Sequence, residues 1–240
     1  METKGIIFDY GGTLDTNGTH WAEVLWRAYQ KEGIAISRDM FREAYVHAER
    51  ELEAEPVILP GDTFLDVLRK KTDIETRYLS GKGYWRVDEL TRRPDAEHIA
   101  LDCLAVVREG IARSKTVLRL LTDKYRLALV SNFYGNLRTV LSDFGIDCFT
   151  TVIESAEVGV RKPDTAIFSV ALRRMGLSAA EVTVVGDSLK NDIRPAKALG
   201  CKTVWLKGTG WDGAQADAPE ADYIISDIEE LIRLQNDSCL

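Results

Sequence analysis

The stretch Gly5-Ile6-Ile7-Phe8-Asp9-Tyr10-Gly11-Gly12-Thr13-Leu14-Asp15 decides how this chain is to be read. A short apolar run rich in β-branched residues fits a buried strand, and the acidic residue that ends it is followed closely by two glycines, the chemistry of a turn. Runs of the same kind follow at Leu127-Ala128-Leu129-Val130, Thr151-Val152-Ile153, Val182-Thr183-Val184-Val185, Thr203-Val204-Trp205 and Tyr223-Ile224-Ile225. Continuous apolar strands separated by helical segments predict an α/β fold, a parallel sheet with helices on both faces. Between the third and fourth runs, Ile167, Val170, Ala171 and Met175 share one helical face, with Pro163 near the start and Gly176 just past the end. That spacing predicts a crossover helix.

The interval between the first run and the second is too long for a crossover and reads as mostly helical. Trp21, Val24, Leu25, Ala28 and Tyr29 form one stripe, closed by Gly33, and Ser37 opens a second helix with Phe41, Ala44, Tyr45 and Ala48 inward. A third helix is expected from near Asp62, burying Phe64, Leu65, Val67 and Leu68. Beyond Ser80-Gly81-Lys82-Gly83, Tyr84 and Trp85 begin a further stretch, and Asp95 to about Val107 is strongly helical. The expected division is a discontinuous core, residues 1–14 and 108–240, with a helical domain at 15–107 inserted after the first strand.

Composition narrows the class. The chain has 240 residues, 45% hydrophobic and 29% charged, which excludes a disordered or collagen-like polymer. A net charge of −7, from 31 basic and 38 acidic residues, argues against a nucleic-acid partner or an anionic membrane surface. Cys103, Cys148, Cys201 and Cys239 are scattered with no CxxC pair, so neither structural zinc nor a disulfide framework is expected. With no membrane-spanning run and no signal-like start, a cytoplasmic location is expected, as a monomer or homodimer.

Ligands of an open parallel sheet bind beyond the carboxyl ends of its strands. The residues there are polar: Asp9-Tyr10-Gly11-Gly12-Thr13, Ser131-Asn132, and Gly186-Asp187-Ser188-Leu189-Lys190-Asn191-Asp192, with Arg161-Lys162-Pro163-Asp164 ahead of the crossover helix. Each alone has a plain structural explanation as a turn, a helix cap or a solvated charge. Together they bring three carboxylates, a hydroxyl and an ammonium to one sheet edge. Such a set supplies a nucleophile, hard oxygen ligands for Mg²⁺ and a cationic clamp for phosphoryl oxygens.

In order and spacing these residues resemble the haloacid dehalogenase-like (HAD) hydrolase superfamily, whose motifs run DxDGT, then S/T, then K, then GDxxxD or GDxxxxD. Asp9 to Thr13 matches the first except at its second Asp, and Ser131, Lys162 and Gly186-Asp187 through Asp192 match the rest. The resemblance implies a Rossmann-like core with a C1-type helical cap, and an Mg²⁺-dependent phosphatase acting on a small phosphorylated metabolite. Carried over by position, Asp9 is the nucleophile that becomes an aspartyl phosphate. Asp9, the carbonyl of Gly11 and Asp187 would hold Mg²⁺, with Asp192 supporting. Ser131, Asn132, Lys162 and the turn at Gly12 would bind the phosphoryl group.

The departure lies at Gly11, where the family carries an Asp that protonates the leaving oxygen and activates water. Its absence admits a silent phospho-ligand binder, or a hydrolase of carbon–halogen or carbon–phosphorus bonds. A metal-keeping fourth motif favours the phosphatase, since a main-chain carbonyl at position 11 survives any substitution. Losing general acid–base catalysis costs about 10²–10⁴-fold, so turnover is slowed without being abolished. Asp15 is a candidate substitute. His20 and Trp21 are expected mainly to pack, Lys82 with Tyr84 and Trp85 either to contact substrate or to face solvent, and Gly208-Thr209-Gly210 to form a turn.

Overall fold

The computed structural model describes residues 2–54, 57–210, 213–214, 220–237 and 240. Cys239 lies outside these. The strands are β1 (Gly5–Phe8), β2 (Arg126–Ser131), β3 (Thr151–Glu154), β4 (Val182–Gly186), β5 (Lys202–Leu206), β6 (Thr209–Gly210), β7 (Gly213–Ala214) and β8 (Tyr223–Ile225). The helices are α1 (Trp21–Lys31), α2 (Arg38–Ala54), α3 (Phe64–Gly81), α4 (Glu89–Leu121), α5 (Leu137–Asp143), α6 (Ser155–Val158), α7 (Ala166–Met175), α8 (Arg194–Ala198) and α9 (Glu230–Asn236).

Six strands form one parallel sheet in the order β3-β2-β1-β4-β5-β8. Each of the six apolar runs became one of them. Alternation along the strands explains why helices cover both faces. Ile6, Phe8, Leu127 and Leu129 join a core shared with Val117, Leu118 and Leu121 of α4. Their neighbours Ile7, Ala128 and Val130 point the other way, onto Ile167, Phe168, Ala171 and Met175 of α7. A sheet buried on both sides makes the middle strands largely apolar, and the buried Thr183 of β4 shares a hydrogen bond with the Thr3 hydroxyl at 3.1 Å.

The sheet edge that matters is set by register. Phe8 pairs with Leu129 of β2 and with Val185 of β4, so β1, β2 and β4 run out at nearly the same level. The reversal of strand order around β1 places the outgoing chains on opposite sides of a crevice.

Between β1 and β2 the chain is helical. The ring of His20 caps α1, Nδ1 accepting from the Ala22 amide at 3.1 Å, and Thr63 with Asp66 closes a capping box on α3. Tyr84 and Trp85 do not begin a helix. They lie in the connection that follows α3, whose Gly83 has φ +70°, and Asp88 then caps α4. The helix α4 runs unbroken through residue 107 from the inserted segment to the sheet. At Gly110 it crosses the chain leaving β1 so closely that a Cβ would sit 2.0 Å from the Asp15 carbonyl oxygen.

Thr209 and Gly210, expected in a turn, form β6, which pairs antiparallel with β7. No described helix is long and apolar enough to cross a membrane.

Candidate active site

The loops beyond β1, β2 and β4 close on a cavity of about 280 Å³. Asp9, Gly11, Gly12, Ser131, Asn132, Lys162, Asp187 and Asp192 all line it. Every site residue expected from the sequence is therefore in one place.

Each is positioned by bonds the local sequence makes available. The amide of Asp9 donates to the Val185 carbonyl at 3.0 Å, extending the β1–β4 ladder by one residue and fixing the carboxylate at the strand end. Gly12 follows with φ +91°, and a Cβ there would lie 2.5 Å from Asp187 Oδ2. Only glycine lets the two loops approach this closely. Thr13 fastens them: its Oγ1 accepts from the Asp187 amide at 3.0 Å and donates to Asp187 Oδ1 at 3.2 Å. Trp205 of β5 donates Nε1–H to the Asp187 carbonyl at 2.9 Å. A second tight approach stands at Gly186, where a Cβ would lie 2.5 Å from the Cβ of Asp192.

Lys162 is held by its own backbone. Its amide donates to Asn132 Oδ1 at 2.8 Å, and Asn132 Nδ2 donates back to the Lys162 carbonyl at 3.0 Å. The Asn132 side chain thus ties the loop after β2 to the loop that carries the lysine. Nζ, buried, donates to Asp9 Oδ1 and Asp192 Oδ1, both at 2.6 Å.

The electrostatics follow from crowding. Burial opposes the charge on Lys162, but Asp192 and Asp9 outweigh it and hold the ammonium above its ordinary range. Burial, with Asp9 and Asp192 beside it, pushes Asp187 well up. Burial raises Asp192 to about 6 despite the opposing pull of Lys162. Carboxylate oxygens of Asp9, Asp187 and Asp192 lie within 4.8 Å of one another. Three acids sharing one lysine are short of positive charge, and a cation with oxygen ligands corrects that.

The profile of haloacid dehalogenase-like hydrolases matches residues 3–200, carrying this strand edge and the inserted helices. The chain belongs to that family. It is a HAD hydrolase with a parallel α/β core. Among curated relatives it is 32% identical over 170 residues to glyceraldehyde 3-phosphate phosphatase of Pyrococcus furiosus, covering 62% of this chain and 68% of that one. It is 45% identical over 85 residues to the same-named enzyme of Methanocaldococcus jannaschii, covering 35% of this chain and 36% of that one. It is 35% identical over 109 residues to phosphoserine phosphatase of Thermus thermophilus, covering 44% and 42%. With these last two the match spans less than half the relative's length.

Solved structures of the same fold include the magnesium-bound HAD-hydrolase YfnB of Bacillus subtilis, with TM-score 0.60, 22% identity, and 98% of this chain and 100% of that one covered. A HAD phosphatase of Thermococcus onnurineus has TM-score 0.55 and 24% identity, with 97% and 98% covered.

Other expectations for this HAD hydrolase change once the cavity is seen. His20 and Trp21, expected mainly to pack, both line it. Lys82 stands away from it, over the ring of Tyr78 at 5.3 Å, and Tyr84 and Trp85 do not line it. Asp15 is fully buried behind the wall, accepting from the Gly12 amide at 2.7 Å and from Trp21 Nε1 at 2.9 Å. Burial is the largest influence on its carboxyl, which is raised to about 7, with the two hydrogen bonds opposing.

The sequence reading missed the far wall: Tyr45 and Glu49 of α2, Lys71 of α3, and Phe133 and Tyr134 after β2. The signal was present in α3. Lys71 continues the stripe of Phe64, Val67 and Leu68 at helical spacing, where one more apolar residue belongs.

Proposed function

We propose that the chain is an Mg²⁺-dependent phosphatase that hydrolyses small phosphorylated metabolites through an aspartyl phosphate on Asp9. The observation that carries this reading is the buried ammonium of Lys162, shared at 2.6 Å between Asp9 and Asp192, with Asp187 completing a carboxylate trio. The names of the curated relatives, glyceraldehyde 3-phosphate phosphatase and phosphoserine phosphatase, support the substrate class.

The residues present fit a hard divalent cation: oxygen donors gathered within 4.8 Å, and two glycines that let the loops carrying them meet. Asp9, the Gly11 carbonyl and Asp187 would hold it, with Asp192 supporting. When bound, the ion neutralises phosphoryl charge beside the acids.

The chain's own groups divide the remaining work. An Asp9 oxygen attacks phosphorus as the bond to the ester oxygen breaks, giving the aspartyl phosphate and the alcohol or its anion. Water then attacks phosphorus, the bond to Asp9 breaks, phosphate leaves and the carboxylate is restored. Lys162, the Ser131 hydroxyl and the Asn132 amide N–H bind the peripheral phosphoryl oxygens, where charge is redistributed in a loose transition state. With Gly11 in place of an acid, the departing oxygen leaves with little proton assistance.

Residues 15–107 act as a cap over the core formed by 1–14 and 108–240. Contacts across the two support this: Tyr134 Oη donates to Glu49 Oε2 at 3.2 Å, Arg161 to Glu53 Oε1 at 2.7 Å, and Asn136 Nδ2 to the Asp62 carbonyl at 2.9 Å. Closure excludes water while the leaving group is still in place. The test is phosphate release from an aryl phosphate with and without Mg²⁺. Release that requires the ion supports the reading, and equal release in chelator overturns it.

A further inference from the structure

The cap side of the cavity carries a polar cluster that the phosphoryl chemistry does not use. Lys71 on α3 is 5% exposed, which is rare for a lysine without a task. Its ammonium forms an ion pair with Glu49 of α2 and stands 4.4 Å from the centroid of the Tyr45 ring. Glu49 in turn accepts from Tyr134 Oη at 3.2 Å. Burial and the adjacent Glu49 raise the Tyr45 and Tyr134 phenols well above their ordinary range, so both stay protonated and remain donors. Lys71, Glu49, Tyr45 and Tyr134 all face the same cavity as Asp9 and Lys162.

We propose that Lys71 and Glu49, backed by Tyr45 and Tyr134, are the head-group end of the substrate site and select phosphate esters whose other end is uncharged and hydroxylated, the polyol or sugar class. This rests on the phosphatase reading above and narrows it.

Charge decides the class. The pair brings one positive and one negative group to the wall, so the cap side has no net attraction for an ionic head. A substrate carboxylate would have to separate Lys71 from Glu49 and would then face the Glu49 charge. A substrate ammonium would face Lys71. A hydroxyl accepts one of the ammonium's remaining N–H bonds and donates to a free lone pair of Glu49 while the pair stays intact. A vicinal hydroxyl can then accept the last N–H of the Lys71 ammonium. Tyr45 and Phe64 supply apolar surface for the carbon chain, and the cavity of about 280 Å³ limits that chain to a few carbons.

The test uses the whole enzyme with Mg²⁺ and three phosphate esters of similar size: glycerol 3-phosphate, ethyl phosphate with no head group, and 3-phosphoglycerate with a carboxylate. The expected order of kcat/KM is glycerol 3-phosphate, then ethyl phosphate, then 3-phosphoglycerate. Lys71→Met and Glu49→Gln should each collapse the glycerol-to-ethyl ratio by about tenfold or more, the size of a lost charge-assisted hydrogen bond, chiefly through KM. Equal loss on both esters, or a preference of the parent enzyme for 3-phosphoglycerate, overturns the proposal. Calorimetric titration with the methylene-phosphonate analogues of the same esters separates the two readings. If no ester turns over yet the glycerol analogue binds tightest, the phosphatase reading fails and the head-group site stands. Analogues bound without regard to head group overturn the site even where turnover is found.

Discussion

The Trp21 indole N–H donates to Asp15 at 2.9 Å, and the same ring stands over Gly11, with Nε1 3.8 Å from where a Cβ at residue 11 would lie. The space beside Gly11 is thus walled by an indole that a buried carboxyl holds in place. Asp15 itself does not reach the cavity. On the proposed reading, a leaving oxygen here would meet a ring edge in place of a proton donor.

Gly11→Asp is therefore expected to fold and to change the chemistry. Gly11 is not among the residues with positive φ, and the new Cβ meets only ordinary contacts at 3.8 and 3.9 Å. Alkyl phosphates should gain up to roughly 10²-fold in kcat/KM, and aryl phosphates, whose leaving groups need no proton, should change little. Rates across a leaving-group pKa series check this. An unchanged slope in the folded variant means that position 11 does not face the leaving group.

Lys162→Met should be costly to stability as well as to turnover. It leaves Asp9 and Asp192 buried beside each other without their shared cation, and removing one partner of such a cluster costs about 3–5 kcal/mol. Urea unfolding in chelator measures the loss. A variant as stable as the parent would show that the trio does not depend on the lysine.

Gly110→Ala offers a reversal of sign. In an open helix this change stabilises by up to about 1 kcal/mol. Here the new methyl would fall 2.0 Å from the Asp15 carbonyl oxygen, so α4 and the chain leaving β1 must part. A net destabilisation of about 1–3 kcal/mol is expected from thermal unfolding. A raised Tm would contradict the close approach.

These cases show what was legible in the sequence. The sheet could be read because strands buried on both faces are continuous apolar runs, and the near wall because its polar side chains follow those runs directly. Gly110 was not legible in this way. Its role depends on what crosses α4 in space, and the helix pattern carries no record of Asp15. The far wall failed for a related reason. Tyr45 and Lys71 sit at positions that also read as helix interior, and only the packing of α2 beside α3 turns Lys71 toward Glu49. Conversely Lys82, flanked by glycines, looked available for a ligand and faces Tyr78 instead.

Glu75 should make stability fall with rising pH. Burial raises its carboxyl from 4.5 to about 7, with Lys71 and Tyr29 opposing. Between those values the folded state keeps a proton that the unfolded state releases. The contribution is intact below about 4.5, declines through the interval and is flat above about 7. Glu75→Gln keeps an acceptor for the Tyr29 hydroxyl and removes the penalty. It should gain stability relative to the parent at pH 8 over pH 4, on the order of 3 kcal/mol. Denaturant midpoints at the two pH values check this, and a pH-independent difference contradicts it.

The cap should exclude large substrates. Arg161 holds Glu53 and Asn136 holds the Asp62 carbonyl, so the inserted helices are tied to the loops that line the cavity. Phosphopeptides should be hydrolysed far more slowly than small phosphate esters with similar leaving groups. Comparable kcat/KM for the two would exclude a closing role.

The central claim is the covalent step on Asp9, and acid-quenched mass spectrometry of the enzyme during turnover of an aryl phosphate tests it most directly. With Mg²⁺ present, a phosphoryl adduct is expected on the peptide that carries Asp9, absent in chelator and absent in Asp9→Asn. Steady phosphate release with no adduct on that peptide, persisting in Asp9→Asn, would contradict the account.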